Sequence, residues 1–411
     1  MDATALAGGA PAVTVQADLE AAGRFGGEGT SVTRFAWSPE LAEASEWLCE
    51  ELRALGLEAS IDAAGNVLGK WHAGQGSAVL LGSHLDTVPR GGRYDGALGV
   101  LAALAAIRTL RQKRIDPRRP VWLVSFMDEE GSRFRTGMLG SRAFVGDDLS
   151  GFGDRRDDSG VSLREAMAAL GFDFDRLAEA RAIEGVGAYL ELHIEQGPRL
   201  ERAGIDIGVV TGIVGLLSLG TRLVGEANHA GTTPMELRRD ALVGAARAVL
   251  ALRDEARASD DMTANVGIIG VEPGGFNVVP GLCEFTIDVR SPMPEGFARV
   301  EAFVRETLTR IAGEERLELE LTESHRLEPT PLDPHLVATL QEAAELESAS
   351  TMHMPSGAGH DAMILARHVP AAMLFVPSRG GISHSPDEFT EERHCELGAR
   401  VLGRALELLV A

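Results

Sequence analysis

The sequence predicts an α/β protein with a mostly parallel mixed sheet, interrupted by a smaller domain of ferredoxin-like α+β order. Three observations carry this expectation. Apolar strand-like runs alternate with helical patterns over residues 40–193, as in a sheet covered by helices on both faces. After about Thr211 the order becomes strand–helix–strand–strand–helix–strand, that of a split βαβ unit with an antiparallel sheet. Beyond the proline-rich stretch His325–Pro334 the first pattern returns. A length of 411 residues suits two domains better than one core. The expected division is a large domain over 1–211 and 329–411, with an inserted domain over 212–328.

The first segment that reads as ordered runs from Glu40 to Leu55, with Leu41, Ala44, Trp47, Leu48, Leu52 and Leu55 on one helical face. Gly56 supplies its stop. A strand is expected over Ala78–Gly82, a helix over Gly96–Leu110 and a strand over Val121–Met127. A loop rich in Gly and Asp then precedes a helix over Leu163–Leu170 and a strand over Ala188–His193. In the insert, strands are expected at Ile213–Val224, Ala264–Val271, Cys283–Val289 and Leu317–Thr322, with helices at Arg238–Arg257 and Gly296–Ile311. The stretch His325–Pro334, with three prolines, reads as a loop. Helices from His335 and Asp361, a strand over Ala371–Val376 and a final helix over Glu391–Leu409 complete the chain.

Composition narrows the function classes. Apolar residues make up 45% and charged residues 24%, as in soluble globular domains. No apolar run approaches the roughly 20 residues of a membrane span, and the first dozen residues lack the basic start and apolar core of a secretory signal. A cytoplasmic protein is therefore expected. Lys plus Arg total 39 against 61 Asp plus Glu, a formal charge of −22. Such a surface, with no basic patch, argues against nucleic acid and anionic membranes as partners. Cys49, Cys283 and Cys395 have no short spacing of a zinc or redox motif and read as buried packing.

The informative feature is where His, Asp and Glu fall. Open α/β sheets bind ligands beyond the carboxyl ends of their strands. His84 and Asp86 follow one strand, Asp128, Glu129 and Glu130 a second, His193 and Glu195 close a third, and His384 follows a fourth. Asp95 sits in a turn between Gly91, Gly92 and Gly96, just before a helix. Any one of these reads most simply as a structural histidine or a solvated acidic loop, but their joint placement points to a metal centre. Imidazoles and carboxylates without thiolates suit Zn²⁺, Mn²⁺, Co²⁺ or Ni²⁺ in an open catalytic site. One carboxylate can bridge two ions, and Asp95 is the natural bridge because glycines let its backbone come close.

These residues lie in longer texts: GSHLDTVPRGGRYDGALGV (82–100), DEEGSRF (128–134), GSRAF (140–144), ELHIEQG (191–197), NHAGTTPM (228–235), RRDAL (238–242), FNVVPG (276–281), DVR (288–290), PSGAGHDAM (355–363) and FVPSRGGISHSPDE (375–388). In them the chain resembles the carbamoylase and allantoate-amidohydrolase branch of the dinuclear-zinc aminoacylase and carboxypeptidase superfamily, from about Val32 to the C-terminus. The resemblance implies a zinc-exopeptidase-like catalytic domain with a lid and dimerisation insert, and two divalent ions per subunit. His84 and His193 would complete one ion with Asp95, and Glu130 and His384 the other. Asp86 would fix the His84 imidazole, and Glu129 would act as general base on a metal-bound hydroxide. His229 would support the oxyanion in the site of the partner subunit of a homodimer. Asn277 and Arg290 would hold the substrate carboxylate, with Gln196 on the ureido end and Gly359 completing the pocket. His360 and Asp361 are motif members that read as structural support.

The substrate implied is a small ureido or carbamoyl carboxylate, with an N-carbamoyl-L-amino acid first. Allantoate is the nearest rival, followed by ureidoglycolate or β-ureidopropionate. An aminoacylase or peptidase fits the ELHIEQG and GISHSPDE texts less well. A non-catalytic binding protein would be expected to have lost a ligand or the base, and all are present.

Overall fold

The computed structural model describes residues 14–411; the residues on which the expectation of no signal segment rests lie outside that range. The described chain divides into two compact units. Unit 1 comprises the residues up to Thr211 with Leu332–Met354 and His360–Ala411, and unit 2 comprises Gly212–Pro331 with Pro355–Gly359. The short segment 355–359 joins unit 2, which a purely linear division does not anticipate.

The sheet of unit 1 is centred on the strand Ala78–His84, which is buried along its whole length. It pairs in parallel with Val121–Phe126 on one side and with Val186–Ile194 on the other. Ala371–Val376, also wholly buried, adds a further parallel strand beside Val186–Ile194. Nearly unbroken apolar sequence follows from this position, since a central parallel strand is covered on both faces. The helices Ala97–Gln112 and Glu392–Val410 pack on each other and on these strands.

The sheet is mixed rather than mostly parallel. Glu58–Ile61, Val67–Trp71 and Ile207–Ile213 all join it antiparallel. The reason is connection length: Ile61 and Val67 are joined by a short turn, whereas a parallel return needs a dozen or more residues. The strands Ile207–Ile213 and Thr351–Ser356 and the helix Val15–Ala22 are absent from the sequence-based expectation. That helix is capped by Thr14, whose side chain accepts from Ala17 N, and it buries Leu19 fully.

Unit 2 is an antiparallel sheet in the order Thr263–Asn265, Leu282–Ser291, Gly215–Val224, Glu318–Leu327, with Ile269–Glu272 also on Leu282–Ser291. Gly215–Val224 alternates buried and half-buried residues, the mark of a strand with one face on a core. Helices Ala241–Ala258 and Pro294–Glu315 cover that face around Leu217, Leu219, Phe285, Ile287, Phe297 and Val304. The single strand expected at 264–271 is two strands: Thr263 faces Arg290 but Ile269 faces Phe285, a register shift of one residue. Such a shift is a β-bulge. The last strand extends to Leu327 and so overlaps the expected loop at 325–334. Its first half alternates through Leu319 and Leu321 as expected, whereas the part beyond Thr322 is mostly exposed and carries no apolar alternation in the sequence.

Among the described residues no helix is long and apolar enough to cross a membrane. Phe285 is 1% exposed at the centre of the unit 2 core, so Phe285→Ala is expected to cost roughly 3–5 kcal/mol of stability. Chemical denaturation measures this, and a loss under about 1 kcal/mol would mean that the core closes over the gap.

Candidate metal centre

The parallel strands end together, and their ends carry the centre. His84 is the last residue of its strand and lies beside Phe126 in the ladder, and His193 lies beside Phe375. Asp95 precedes the helix Ala97–Gln112, whose N-cap is Gly96. At Gly96 φ is +64°, and an added Cβ would stand 2.3 Å from the His84 ring. Glycine is required there on both counts.

Two groups of side chains share Asp95: His84, Asp95 and His193, all buried, and Asp95, Glu130 and His384. His193 Nε2 lies 3.1 Å and His84 Nε2 3.8 Å from Asp95 Oδ1. His384 Nε2 lies 3.3 Å from the other oxygen, Oδ2, and 3.6 Å from Glu130 Oε1. The carboxylate therefore presents one oxygen to each group.

The tautomers follow from the outer nitrogens. His84 Nδ1 is 3.0 Å from the backbone oxygen of Asp86, and His193 Nδ1 is 2.9 Å from that of Ile194. A carbonyl accepts only, so each Nδ1 carries hydrogen and each neutral ring turns a lone pair at Nε2 toward Asp95. Lone pairs facing a buried carboxylate need a cation or a proton between them. Among the described residues, the buried His193 Nε2 meets Asp95 Oδ1 at 3.1 Å and finds no well-formed hydrogen bond. These donors fit a divalent ion on each side of Asp95.

Electrostatics point the same way. Burial, followed by the neighbouring Asp86, pushes Asp128 up to about 8. Burial and then Asp95 push Glu130 up to about 8, and burial with Glu130 alongside holds Glu129 well above the carboxylate range. For His193, burial works downward, but the charge of Asp95 prevails and raises it to about 9. Burial depresses His84 despite Asp86 and Asp95. Carboxyls crowded out of water resist ionisation, and metal cations remove that resistance.

The Glu129 side chain is 9% exposed, with Oε2 3.7 Å from His84 Nε2. Asp86 departs from the role expected for it. Its carboxylate is 3.7 Å from the His84 ring, which is held instead by the Asp86 carbonyl. The carboxylate accepts from Glu129 N at 3.2 Å and Glu130 N at 3.1 Å, and so orients both residues. Gln196 Nε2 donates to Asp95 Oδ2 at 2.8 Å, while its buried Oε1 has no hydrogen-bond partner among the described residues. The His360 ring packs 4.4 Å from that of His193, edge to face. Asp361 is buried at the start of the helix Asp361–Leu365.

Four expected site residues lie on unit 2. His229 is exposed on a short strand facing Val278, and Ala230 N donates to Asn277 O at 2.9 Å. His229 Nδ1 accepts from Gly231 N at 3.0 Å and Thr232 N at 3.2 Å. Its hydrogen is therefore on Nε2, which is left as a donor. Arg290 donates to Asp288 Oδ1 at 3.1 Å and to the carbonyl of Gly357 at 2.8 Å, in the segment that carries Gly359.

Sequence reasoning missed several supporting residues. Glu191 accepts from Ser83 Oγ, Tyr189 OH and Ala362 N beneath His193. Arg34, 1% exposed, donates to the carbonyls of Leu85, Ala22 and Phe25, and so clamps the turn after His84. Burial pulls its guanidinium down to about 10 against the attraction of Asp86. Nothing local marks an arginine so far from the ligands in sequence. Glu388 and Ser383 stand within the GISHSPDE text, where a signal existed.

Fold and centre together define a hydrolase with a His–carboxylate centre at the carboxyl edge of an α/β sheet. The chain belongs to peptidase family M20/M25/M40, whose pattern matches residues 80–408. It is 39% identical over 409 residues to an N-carbamoyl-L-amino-acid amidohydrolase of Paenarthrobacter aurescens, covering 97% of this chain and 98% of that one. It is also 39% identical to an allantoate amidohydrolase of Bacillus subtilis, over 90% and 91% of the two chains. Among solved structures, an amidase of the hydantoinase/carbamoylase family from Burkholderia phymatum superposes with a TM-score of 0.87 at 37% identity, covering 96% of each chain.

The shifts set a pH signature for the metal-free protein. A carboxyl raised in the folded state contributes stability that is complete below its ordinary value, 3.8 for Asp128 and 4.5 for Glu130, and is lost as pH rises through about 8. The depressed His84 and His360 contribute no slope above their ordinary 6.5. In chelator the unfolding temperature is therefore expected to fall between pH 6.5 and about 8, and Zn²⁺ or Mn²⁺ is expected to raise it and flatten the slope. A chelated protein with no slope in that interval would contradict the crowding of these carboxyls.

Proposed function

We propose that this chain hydrolyses the carbamoyl C–N bond of an N-carbamoyl-L-amino acid, using two divalent ions, Zn²⁺ or Mn²⁺, held by His84, Asp95 and His193 and by Asp95, Glu130 and His384. The single observation that carries this reading is the division of the Asp95 oxygens between two imidazole groups, 3.1 Å from His193 and 3.3 Å from His384. Bound ions of this kind supply Lewis acidity and make water a stronger acid.

The chain's own residues do the rest. Glu129, close to His84 Nε2 and kept basic by burial and by its carboxylate neighbours, takes a proton from the attacking water and returns it to the leaving nitrogen. Asp86 fixes the backbone of Glu129 and Glu130. Gln196 turns its unpartnered Oε1 to the ureido N–H groups. His229, its hydrogen on Nε2, would reach the site of the other subunit of a homodimer and donate to the carbonyl oxygen as negative charge develops there. Arg290 and Asn277 take the substrate carboxylate, with the backbone at Gly359 beside it. The products are the amino acid, ammonia and carbon dioxide.

Unit 2 is assigned as the lid and dimerisation domain. Its exposed Leu242, Val243 and Leu250 on helix Ala241–Ala258, with Ile268 and Ile269, support a homodimer. Allantoate amidohydrolase is the second reading, favoured by a relative as similar as the first, 39% identical.

Ammonia release from a panel of N-carbamoyl-L-amino acids, allantoate, ureidoglycolate and dipeptides, with Mn²⁺ or Zn²⁺ restored after chelation, separates these readings. Turnover confined to dipeptides, or undiminished after chelation, would end the proposal. Glu129→Gln is expected to keep both ions by elemental analysis while kcat falls roughly 10²–10⁴-fold. Retained turnover would remove Glu129 from its role.

A further inference from the structure

The second imidazole group has a weakness that the first lacks. His84 and His193 sit in buried strands, each with its outer nitrogen on a backbone carbonyl. His384 lies on a loop at φ +55°, with a side chain 49% exposed. Something else must hold that loop to Asp95, 289 residues away in the chain (384 − 95).

The geometry points to Glu388 as that positioning residue. Its carboxylate is 5% exposed, and Oε1 accepts from the backbone N–H of both Tyr94 and Asp95 at 3.0 Å. Oε2 lies 3.0 Å from Ser383 Oγ, and that hydroxyl is also 2.8 Å from Asp95 Oδ2, the oxygen facing His384. One carboxylate thus grips the turn that presents Asp95 and, through the neighbour of His384, the loop that presents the second imidazole. The turn is shaped to receive it: a Cβ on Gly92 would stand 2.1 Å from Glu388 Oε1 and 2.5 Å from its Cβ. That glycine keeps a place for the glutamate.

The inference rests on the two-ion reading above and adds a division of labour. Glu388 sets the affinity of the ion on the Glu130–His384 side most strongly, through Ser383 beside His384, and reaches the His84–His193 side only through the shared Asp95. Partners that orient metal ligands typically change affinity by roughly 10–100-fold when removed. The test is calorimetric titration of Mn²⁺ or Zn²⁺ into the full-length, chelated protein, resolving both binding steps, for wild type, Glu388→Ala, Glu388→Gln, Ser383→Ala and Gly92→Ala. Wild type is expected to take two ions. Glu388→Ala is expected to weaken one of the two steps by roughly 10–100-fold and the other far less. Gly92→Ala, which displaces the carboxylate without removing it, is expected to do the same. Glu388→Gln keeps an oxygen for the two backbone N–H groups and is expected to recover most of the loss, which a merely space-filling role would not predict for Gln over Ala once Gly92→Ala reproduces the defect. Should Glu388→Ala fail to fold, Gly92→Ala and Ser383→Ala carry the same reading. Two ions in wild type with both steps unchanged in the variants, or both steps weakened alike, overturns the role of Glu388 alone. Fewer than two ions in wild type overturns the two-ion reading and this inference with it.

Discussion

Everything at the centre depends on Asp95 being buried between imidazoles that turn lone pairs toward it. Each ring has spent its N–H on a main-chain carbonyl, so neither histidine of the buried pair relieves the carboxylate while neutral. Asp86, Asp128, Glu129, Glu130 and Glu191 crowd the same region, each raised first by burial. Two like charges 4 Å apart repel by about 4 kcal/mol even at an effective dielectric of 20. Protonation of His193, raised to about 9 beside Asp95, offsets part of that charge in the metal-free protein, and the remaining carboxylates suit divalent cations.

The fold meets this constraint with backbone more than with side chains. Parallel strands bring His84 and His193 to one edge, and the main chain selects their tautomers. Asp128, Gln196 and His384 all adopt left-handed backbone conformations, which non-glycine residues enter only at a cost. Their clustering around one centre, with Gly96 giving way to the His84 ring, places local strain where the ligand geometry demands it. Asp86 illustrates the economy of the arrangement: its carbonyl holds the His84 ring while its carboxylate holds the backbone of Glu129 and Glu130.

Unit 2 answers to different physics. Its strands alternate because only one sheet face meets helices, and its core is a closed apolar set around Phe285 and Phe297. The groups of chemical interest lie outside that core, on a short pair of antiparallel strands and near a strand end. His229 owes its donor nitrogen to two loop amides, so a unit with little buried charge still prepares a defined hydrogen-bond donor.

Read alone, the sequence determined that this is an α/β protein with a second, α+β segment, and that His84, Asp95, Glu130, His193 and His384 belong together. Buried parallel strands must be apolar throughout, and metal-capable residues at their ends then stand out against that background. Family texts added the assignment of each ligand to a side. Other features were decided only in three dimensions. The far end of the edge strand Glu318–Leu327, beyond Thr322, has too little burial to leave a pattern, and a bulge such as that after Asn265 shifts register without changing composition. Arg34, Glu191 and Glu388 act by hydrogen bonds to groups up to 294 residues away, and the partner of such a bond is a matter of chain path. The residue types that chemistry requires can be read from local sequence, whereas the contacts that aim them exist only once distant segments have met.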